Sequence, residues 1–154
     1  MAASDRTRWF GLAVLSVGVS MIIVDATIVN VALPSIIREF DLALADAEWI
    51  NSIYSLVFAA LLITLGKVGD MYGRRRMFMI GLVIFVGASM LAGLSNSGNS
   101  LIFARFLQGV GAAVILPATL STVNATFRGR ERGIAFGVWG SVIGGMAALG
   151  PLLG

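Results

Sequence analysis

The chain has 154 residues, of which 58% are hydrophobic and only 12% are charged, with a formal net charge of +3. A soluble domain of this size has about 25% charged residues, so the composition argues against a soluble protein. The chain contains no cysteine and no histidine, which excludes disulfides, thiolate chemistry and histidine-based metal sites. With no nucleophile–base pair in the sequence either, we expect neither an enzyme nor a bound metal.

Five apolar segments follow one another along the chain, at about 9–33, 49–65, 77–94, 101–123 and 134–154. Each is long enough to cross a bilayer, which takes about 20 helical residues with ordinary tilt. Lipid cannot hydrogen-bond open backbone groups, and no alternating pattern indicates a barrel. The sequence therefore predicts an all-α membrane protein of five transmembrane helices, preceded by a short tail at 1–8.

Basic residues alternate between the connections. Nine lie in the tail, the second connection and the fourth connection, whereas the first connection has only Arg38 and the third has none. Cytoplasmic connections of membrane proteins are enriched in lysine and arginine, so this distribution predicts a cytoplasmic N-terminus. Topology also explains the net positive charge, and we expect no nucleic-acid partner.

In the first apolar segment, Asp25 is the only charged residue between Trp9 and Ile37. A carboxylate at the centre of a transmembrane helix costs at least about 2.5 kcal/mol on insertion scales, so such residues face the bundle interior. At a rise of about 1.5 Å per residue from Trp9, Asp25 lies about 24 Å from the cytoplasmic edge. In a core about 30 Å thick it therefore lies about 6 Å below the outer edge.

In the fourth segment, Arg105 is the only intramembrane cation, about 7.5 Å below the outer edge by the same estimate. We therefore predict that it pairs with Asp25, either along a proton or substrate path or as a structural ion pair. Gln108 falls on the same helix face as Arg105. Asn30 is a further candidate for the path, although it is expected to point elsewhere and to form a hydrogen bond between helices. Gly109 and Gly111 remove side-chain bulk and predict a close neighbour.

Between the second and third segments, residues 66–78 read G-K-V-G-D-M-Y-G-R-R-R-M-F. We interpret them as a short polar turn in which Gly66, Gly69 and Gly73 let the backbone turn tightly. Asp70 is the one acid among four bases, and we expect it to pair with Arg74 or to lie at a helix N-terminus. A generic positive-inside cluster would explain the arginines but neither the acid nor the glycine spacing.

Four stretches together resemble the major facilitator superfamily, in its 14-helix drug:proton antiporter branch. Residues 66–76 are similar to its loop signature G-x-L-A-D-R-x-G-R-[KR]-x, with departures at Gly69 and Met71. V-D-A-T-I-V-N-V-A-L-P at 24–34 and R-F-L-Q-G-V-G-A-A at 105–113 resemble the first-helix and fourth-helix signatures. G-P-L-L-G at 150–154 resembles the fifth-helix antiporter signature, although Met146 stands where that signature often has a glycine. The resemblance covers nearly the whole chain and implies the N-terminal helices of a longer polypeptide.

The resemblance implies a proton-coupled exporter of drugs or antibiotics in the cell membrane. Its partners would be a small amphipathic substrate, protons, the lipid bilayer and the remainder of the polypeptide, with a proton gradient in place of any cofactor. An importer or facilitator of the same fold remains an alternative, as does a non-transporting membrane scaffold, against which the costly intramembrane charges argue. The implied site residues are Asp25, Arg105, Gln108 and Asn30 on the proton and substrate path; Gly66, Asp70, Gly73, Arg74 and Arg75 in a gating loop; and Gly150, Pro151 and Gly154 in a fifth-helix bend that limits leak.

Overall fold

The computed structural model describes residues 4–153, which form five α-helices. These are α1 (Asp5–Phe40), α2 (Leu44–Tyr72), α3 (Arg74–Gly93), α4 (Gly98–Thr126) and α5 (Gly129–Leu153). All five are long and apolar enough to cross a membrane, and no strand occurs between residues 4 and 153. The predicted all-α membrane class with five helices is confirmed. Gly154, the last residue of the predicted fifth-helix motif, lies outside the described residues.

Most of the helices extend beyond the apolar segments, because polar residues outside the lipid can still complete helical hydrogen bonds. The helix α1 continues past Pro34 and ends only at Asp41, whose backbone is left-handed with φ of 49° and whose N–H reaches the Ile37 carbonyl. At the start of α4, the Ser97 hydroxyl accepts a hydrogen bond from the Ser100 backbone N–H. The helix ends are thus set by local capping rather than by hydropathy.

The connection between α2 and α3 is a single residue, Gly73. Our prediction of a polar turn over 66–78 is therefore wrong, since Gly66 and Gly69 are helical within α2. Only Gly73 leaves the helical conformation, with φ of 101°, a region that glycine enters at no steric cost. One residue of this kind is enough to end α2 and begin α3, so the basic residues that follow lie in the first turn of α3.

The helix α4 is the centre of the bundle, and α2 and α3 pack closely against it. A β-carbon on Gly109 would stand 2.9 Å from the Tyr54 carbonyl oxygen of α2, and one on Gly111 would stand 2.8 Å from the Phe85 backbone nitrogen of α3. The expected close neighbours of these two glycines are therefore the backbones of the adjacent helices. Such contacts are the usual way in which membrane helices approach closely.

The helix α5 packs mainly against α1. Near the start of both helices, Arg8 Nη1 lies 3.1 Å from Glu131 Oε2, and the Trp9 ring packs on the Phe127 ring at a centroid distance of 5.0 Å. Phe127 lies between α4 and α5 in the sequence and is almost fully buried. Because α1 also contacts α4, it lies between α5 and the compact group of α2, α3 and α4.

Candidate functional site

Asp25 of α1 and Arg105 of α4 form an ion pair inside the bundle. Arg105 Nη1 donates to Asp25 Oδ2 at 2.6 Å, and the side chains are 2% and 18% exposed, respectively. The pairing that the depth estimate predicted is therefore present. A charge-assisted hydrogen bond of this length stabilises both charges, and the loss of either partner would leave the other buried and uncompensated.

Gln108 completes this ion pair from the same face of α4, as its position one turn after Arg105 predicted. The fully buried amide donates from Nε2 to Asp25 Oδ1 at 2.7 Å, and its Oε1 accepts from Arg105 Nη1 at 2.8 Å. Each carboxylate oxygen of Asp25 thus has its own donor. Burial disfavours a charged carboxylate, whereas the guanidinium and the amide both favour it.

Ser89 of α3 joins the same network, since its hydroxyl oxygen accepts from Gln108 Nε2 at 2.9 Å. Our sequence analysis did not select Ser89 as a site residue. A single serine in an apolar helix indicates close packing as readily as a functional contact. Only the placement of α3 on α4 directs its hydroxyl to the amide, and no sequence signal shows that placement.

The guanidinium of Arg105 has two further partners on α2. Its Nε donates to the Ile50 carbonyl oxygen at 3.3 Å, and its central carbon lies 4.3 Å from the centroid of the Tyr54 ring. A guanidinium over an aromatic face is attracted by the negative potential of the ring. Tyr54 was also absent from the predicted site, because an aromatic residue in an apolar helix is usually part of the core.

An open polar cavity between α1, α2 and α4 borders the ion pair. It is lined by Ala26, Asn30, Asn51, Tyr54, Ser55 and Arg105. Asn51 Nδ2 donates to Asn30 Oδ1 at 2.7 Å, so the predicted hydrogen bond between helices is present. Asn30 lines the cavity together with Arg105, while its side chain bonds Asn51 rather than the ion pair.

A second polar cluster lies at the junction of α2, α3 and α4. Asp70 Oδ1 is 3.4 Å from Arg74 Nε and accepts from the Ser121 hydroxyl at 3.1 Å. The Asp70 and Arg74 side chains are 60% and 40% exposed, so this cluster lies at the surface of the described chain. Between residues 4 and 153, Arg75 makes no side-chain hydrogen bond or ion pair. The structure therefore brings together only two of the predicted gating residues, with Gly73 as the junction between their helices.

Gly66 and Gly150, two glycines of the predicted motifs, each face another helix. A β-carbon on Gly66 would touch Pro117 of α4 at 3.4 Å, which is ordinary contact, whereas one on Gly150 would overlap the Thr27 side chain of α1. Pro151 lies in the last turn of α5, which continues to Leu153. The bend that the resemblance implies at Gly150 and Pro151 remains a prediction.

Comparison with known proteins places these features in a family. The family model for the Major Facilitator Superfamily matches residues 15–154. A puromycin resistance protein of Streptomyces alboniger is 43% identical over 151 residues, which are 97% of this chain and 30% of the relative. A tetracenomycin C resistance and export protein of Streptomyces glaucescens is 38% identical over 146 residues, 95% of this chain and 27% of the relative.

A riboflavin transporter of Clostridioides difficile is 34% identical over 149 residues, which are 97% of this chain and 33% of the relative. The chain thus spans about a third or less of the length of the curated relatives it matches, between 27% and 33% for these three. The family model nevertheless covers most of the chain, and the five helices are long and apolar enough to cross a membrane. The protein is therefore a multi-pass membrane protein that belongs to the Major Facilitator Superfamily.

Proposed function

We propose that this chain is the N-terminal part of a proton-coupled exporter of drugs or antibiotics in the cytoplasmic membrane, with its N-terminus in the cytoplasm. The observation that carries the proposal is the mostly buried Asp25 carboxylate, which pairs with Arg105 beside a polar cavity. Ionisable residues within membrane helices mark ion and substrate paths. The alternating basic connections support the orientation, and the length of the relatives supports a longer polypeptide.

Asp25 is the proton carrier in this proposal. It is partly exposed, so a proton can reach it, and two donors stabilise its charged form. Uptake of a proton removes the attraction between the carboxyl group and Arg105, and release restores it. Transporters of this type rock two helix bundles about a midplane site, so proton uptake from outside and release to the cytoplasm can accompany opposite conformations.

The cavity beside Arg105 and the names of the relatives support the proposed substrate class. Amides, a hydroxyl and an aromatic ring line the cavity, a combination that suits small amphipathic molecules. The names of two relatives, which refer to resistance to puromycin and to tetracenomycin C, support antibiotic export. We further propose that Gly66, Asp70, Gly73, Arg74 and Arg75 control the change of conformation, and that Gly150, Pro151 and Gly154 limit leak through the fifth helix.

An importer or facilitator of the same fold is the second candidate, because one relative is named a riboflavin transporter without a stated direction. The direction of transport separates the two candidates. An exporter moves substrate out of cells in exchange for protons, whereas an importer accumulates substrate. Everted membrane vesicles that contain the full-length protein would take up a fluorescent drug only if the protein exports it, and an imposed proton gradient should accelerate that uptake.

The decisive experiment changes Asp25 in the full-length protein. Asp25→Asn preserves the shape of the side chain and one of its two acceptor oxygens but cannot carry a proton, so we expect proton-driven efflux to be lost while the protein still folds. Asp46→Asn is the matched control, since Asp46 is an exposed acid in the first turn of α2 and its replacement should leave efflux unchanged. Wild-type rate and pH dependence in Asp25→Asn would show that proton coupling lies elsewhere.

A further inference from the structure

Ser89 is the only polar residue of α3 after its three initial arginines. Several serine and threonine hydroxyls in these helices donate to the backbone carbonyl four residues earlier, as Ser20 does to Ser16 at 2.7 Å and Thr119 does to Ile115 at 2.8 Å. That local bond is the ordinary way in which a helical hydroxyl is satisfied. Ser89 instead accepts from the buried Gln108 amide of α4, and among residues 4–153 this is its one side-chain hydrogen bond.

The contact with Ser89 anchors the Gln108 amide in place. An amide group can rotate by 180° and exchange its oxygen and nitrogen, and the partners decide between the two orientations. Here Asp25, whose carboxylate can only accept, takes Nε2, and Arg105, which can only donate, takes Oε1. These two partners select the orientation that directs a donor to the carboxylate, and the Ser89 hydroxyl accepts from the same Nε2.

If Asp25 Oδ1 took up a proton, the Gln108 amide would have to offer it an acceptor instead of a donor. The new O–H and the Gln108 Nε2 would both be donors, and two donors cannot share a hydrogen bond. If the amide turned over, Oε1 would accept from the carboxylic acid, and Ser89 could rotate its own hydrogen to donate to the same oxygen. The Gln108 Nε2 would then face Arg105 Nη1, a second pair of donors, and the guanidinium would be released from the amide toward the cavity.

We propose that Ser89 is a positioning residue of the proton site and acts on Asp25 through Gln108. It holds the amide as a donor to the carboxylate, and it lets the amide turn over when the carboxylate takes up a proton. The inference rests on the proposed role of Asp25 as the proton carrier. A hydroxyl suits this position because it both accepts and donates, whereas a purely apolar residue would favour neither orientation of the amide.

The charged groups around Asp25 leave this role to Gln108 and Ser89. Arg105 of α4 faces the carboxylate directly, and Tyr54 of α2 lies behind the guanidinium. The charged residues of α3 and of α5 are confined to the first turn of each helix, and α1 has no other charge between Trp9 and Ile37. A change at Ser89 therefore removes a hydrogen bond without changing any charge near the site.

The test compares the pH profiles of efflux for the full-length protein and its Ser89 variants. Ser89→Ala frees the amide to rotate away from Asp25. This loss costs the carboxylate more than the carboxylic acid, because the hydrogen bond from Nε2 to the charged form is charge-assisted and therefore the stronger of the two. The carboxylate of the variant should thus take up its proton at higher pH. We expect the midpoint of the profile to rise by about 0.4 to 1 pH unit, the value of one neutral hydrogen bond at 1.36 kcal/mol per unit. Ser89→Thr keeps a hydroxyl and should restore the midpoint. Ser20→Ala, which removes only a bond to its own helix backbone, should leave it unchanged.

A double-mutant cycle determines whether Ser89 acts through the amide. Gln108→Leu should raise the midpoint in the same direction, and Ser89→Ala added to Gln108→Leu should cause no further shift, because its partner is gone. Additive shifts, or a Ser89→Ala variant that loses rate without a change in pH profile, would show a merely structural serine. If Asp25→Asn removes the pH dependence while Ser89→Ala matches wild type, only the inference about Ser89 fails. If Asp25→Asn retains the pH dependence, the proposed proton carrier is wrong and the inference fails with it.

Discussion

The side chain of Thr27 in α1 occupies the space in which a β-carbon of Gly150 in α5 would stand. The two helices therefore approach to contact distance at this point, and Gly150 is buried. Together with the Arg8–Glu131 ion pair near the starts of both helices, this contact ties α1 to α5 over most of their length. Packing thus requires a glycine at position 150, independently of the role in limiting leak that we propose for the fifth helix.

Gly150→Ala should destabilise the protein, because the added methyl group overlaps Thr27 and both helices must shift. Overpacking of this kind costs about 1–3 kcal/mol. Gly145→Ala is the matched control in the same helix, since nothing lies within 4 Å of its β-carbon position, and replacing a helical glycine by alanine gains about 0.5–1 kcal/mol. Thermal unfolding in detergent, followed by circular dichroism, should show a lower midpoint for Gly150→Ala and an equal or higher one for Gly145→Ala. Equal midpoints would refute the tight contact.

Arg105→Ala should be more destabilising than Asp25→Asn, because alanine leaves the mostly buried carboxylate without its cation, whereas the asparagine oxygen can still accept from the Arg105 guanidinium. The loss of one partner of a buried ion pair costs about 3–5 kcal/mol. The double variant Asp25→Asn with Arg105→Ala removes that uncompensated charge and should recover part of the loss. Chemical denaturation of the three variants gives the coupling free energy. If the double variant loses the sum of the two single losses, the residues are not coupled and the ion pair does not stabilise the fold.

The orientation of the chain can be tested with single cysteines, since the sequence contains none. Asn99 lies at the start of α4 and Arg128 directly precedes α5, and both are exposed. Arg128 is a better position than Gly129, whose φ of 56° disfavours a side chain. With a cytoplasmic N-terminus, a membrane-impermeant thiol reagent added to intact cells should label Asn99→Cys and spare Arg128→Cys. The reverse pattern would overturn the proposed topology.

The Asp70–Arg74 pair should matter more for transport than for stability. Exposed ion pairs contribute about 0–1 kcal/mol, so Arg74→Gln should change the unfolding free energy by less than about 1 kcal/mol. If the pair biases one conformation by about 1–3 kcal/mol, its loss should lower efflux about 5- to 150-fold. Arg75→Gln removes the same charge from the adjacent position without breaking a contact in the described range, and it should retain more activity. Equal losses for the two variants would indicate that net charge, rather than the Asp70 contact, controls efflux.

The ion pair could be predicted from the sequence because a charge within an apolar helix is rare, and two such charges at equal depth are expected to meet. The helical period then placed Gln108 beside Arg105. Ser89 and Tyr54 could not be found in this way, because their residue types are common in membrane helices and their contacts depend on how α2 and α3 cross α4. The turn at Gly73 was missed for a related reason: three glycines were available, and the sequence does not show which one leaves the helix.

The glycine contacts of α4 also determine which parts of the bundle can separate. At Gly109 and Gly111 the backbone of α4 touches the backbones of α2 and α3, so these three helices are expected to move as one stiff body. The helices α1 and α5 form a second body, joined to the first through side chains. Among residues 4–153, Asp25–Arg105 is the one ion pair that crosses the boundary between the two bodies. If Asp25 takes up a proton as proposed, we therefore expect the bundle to weaken at this boundary before it weakens elsewhere.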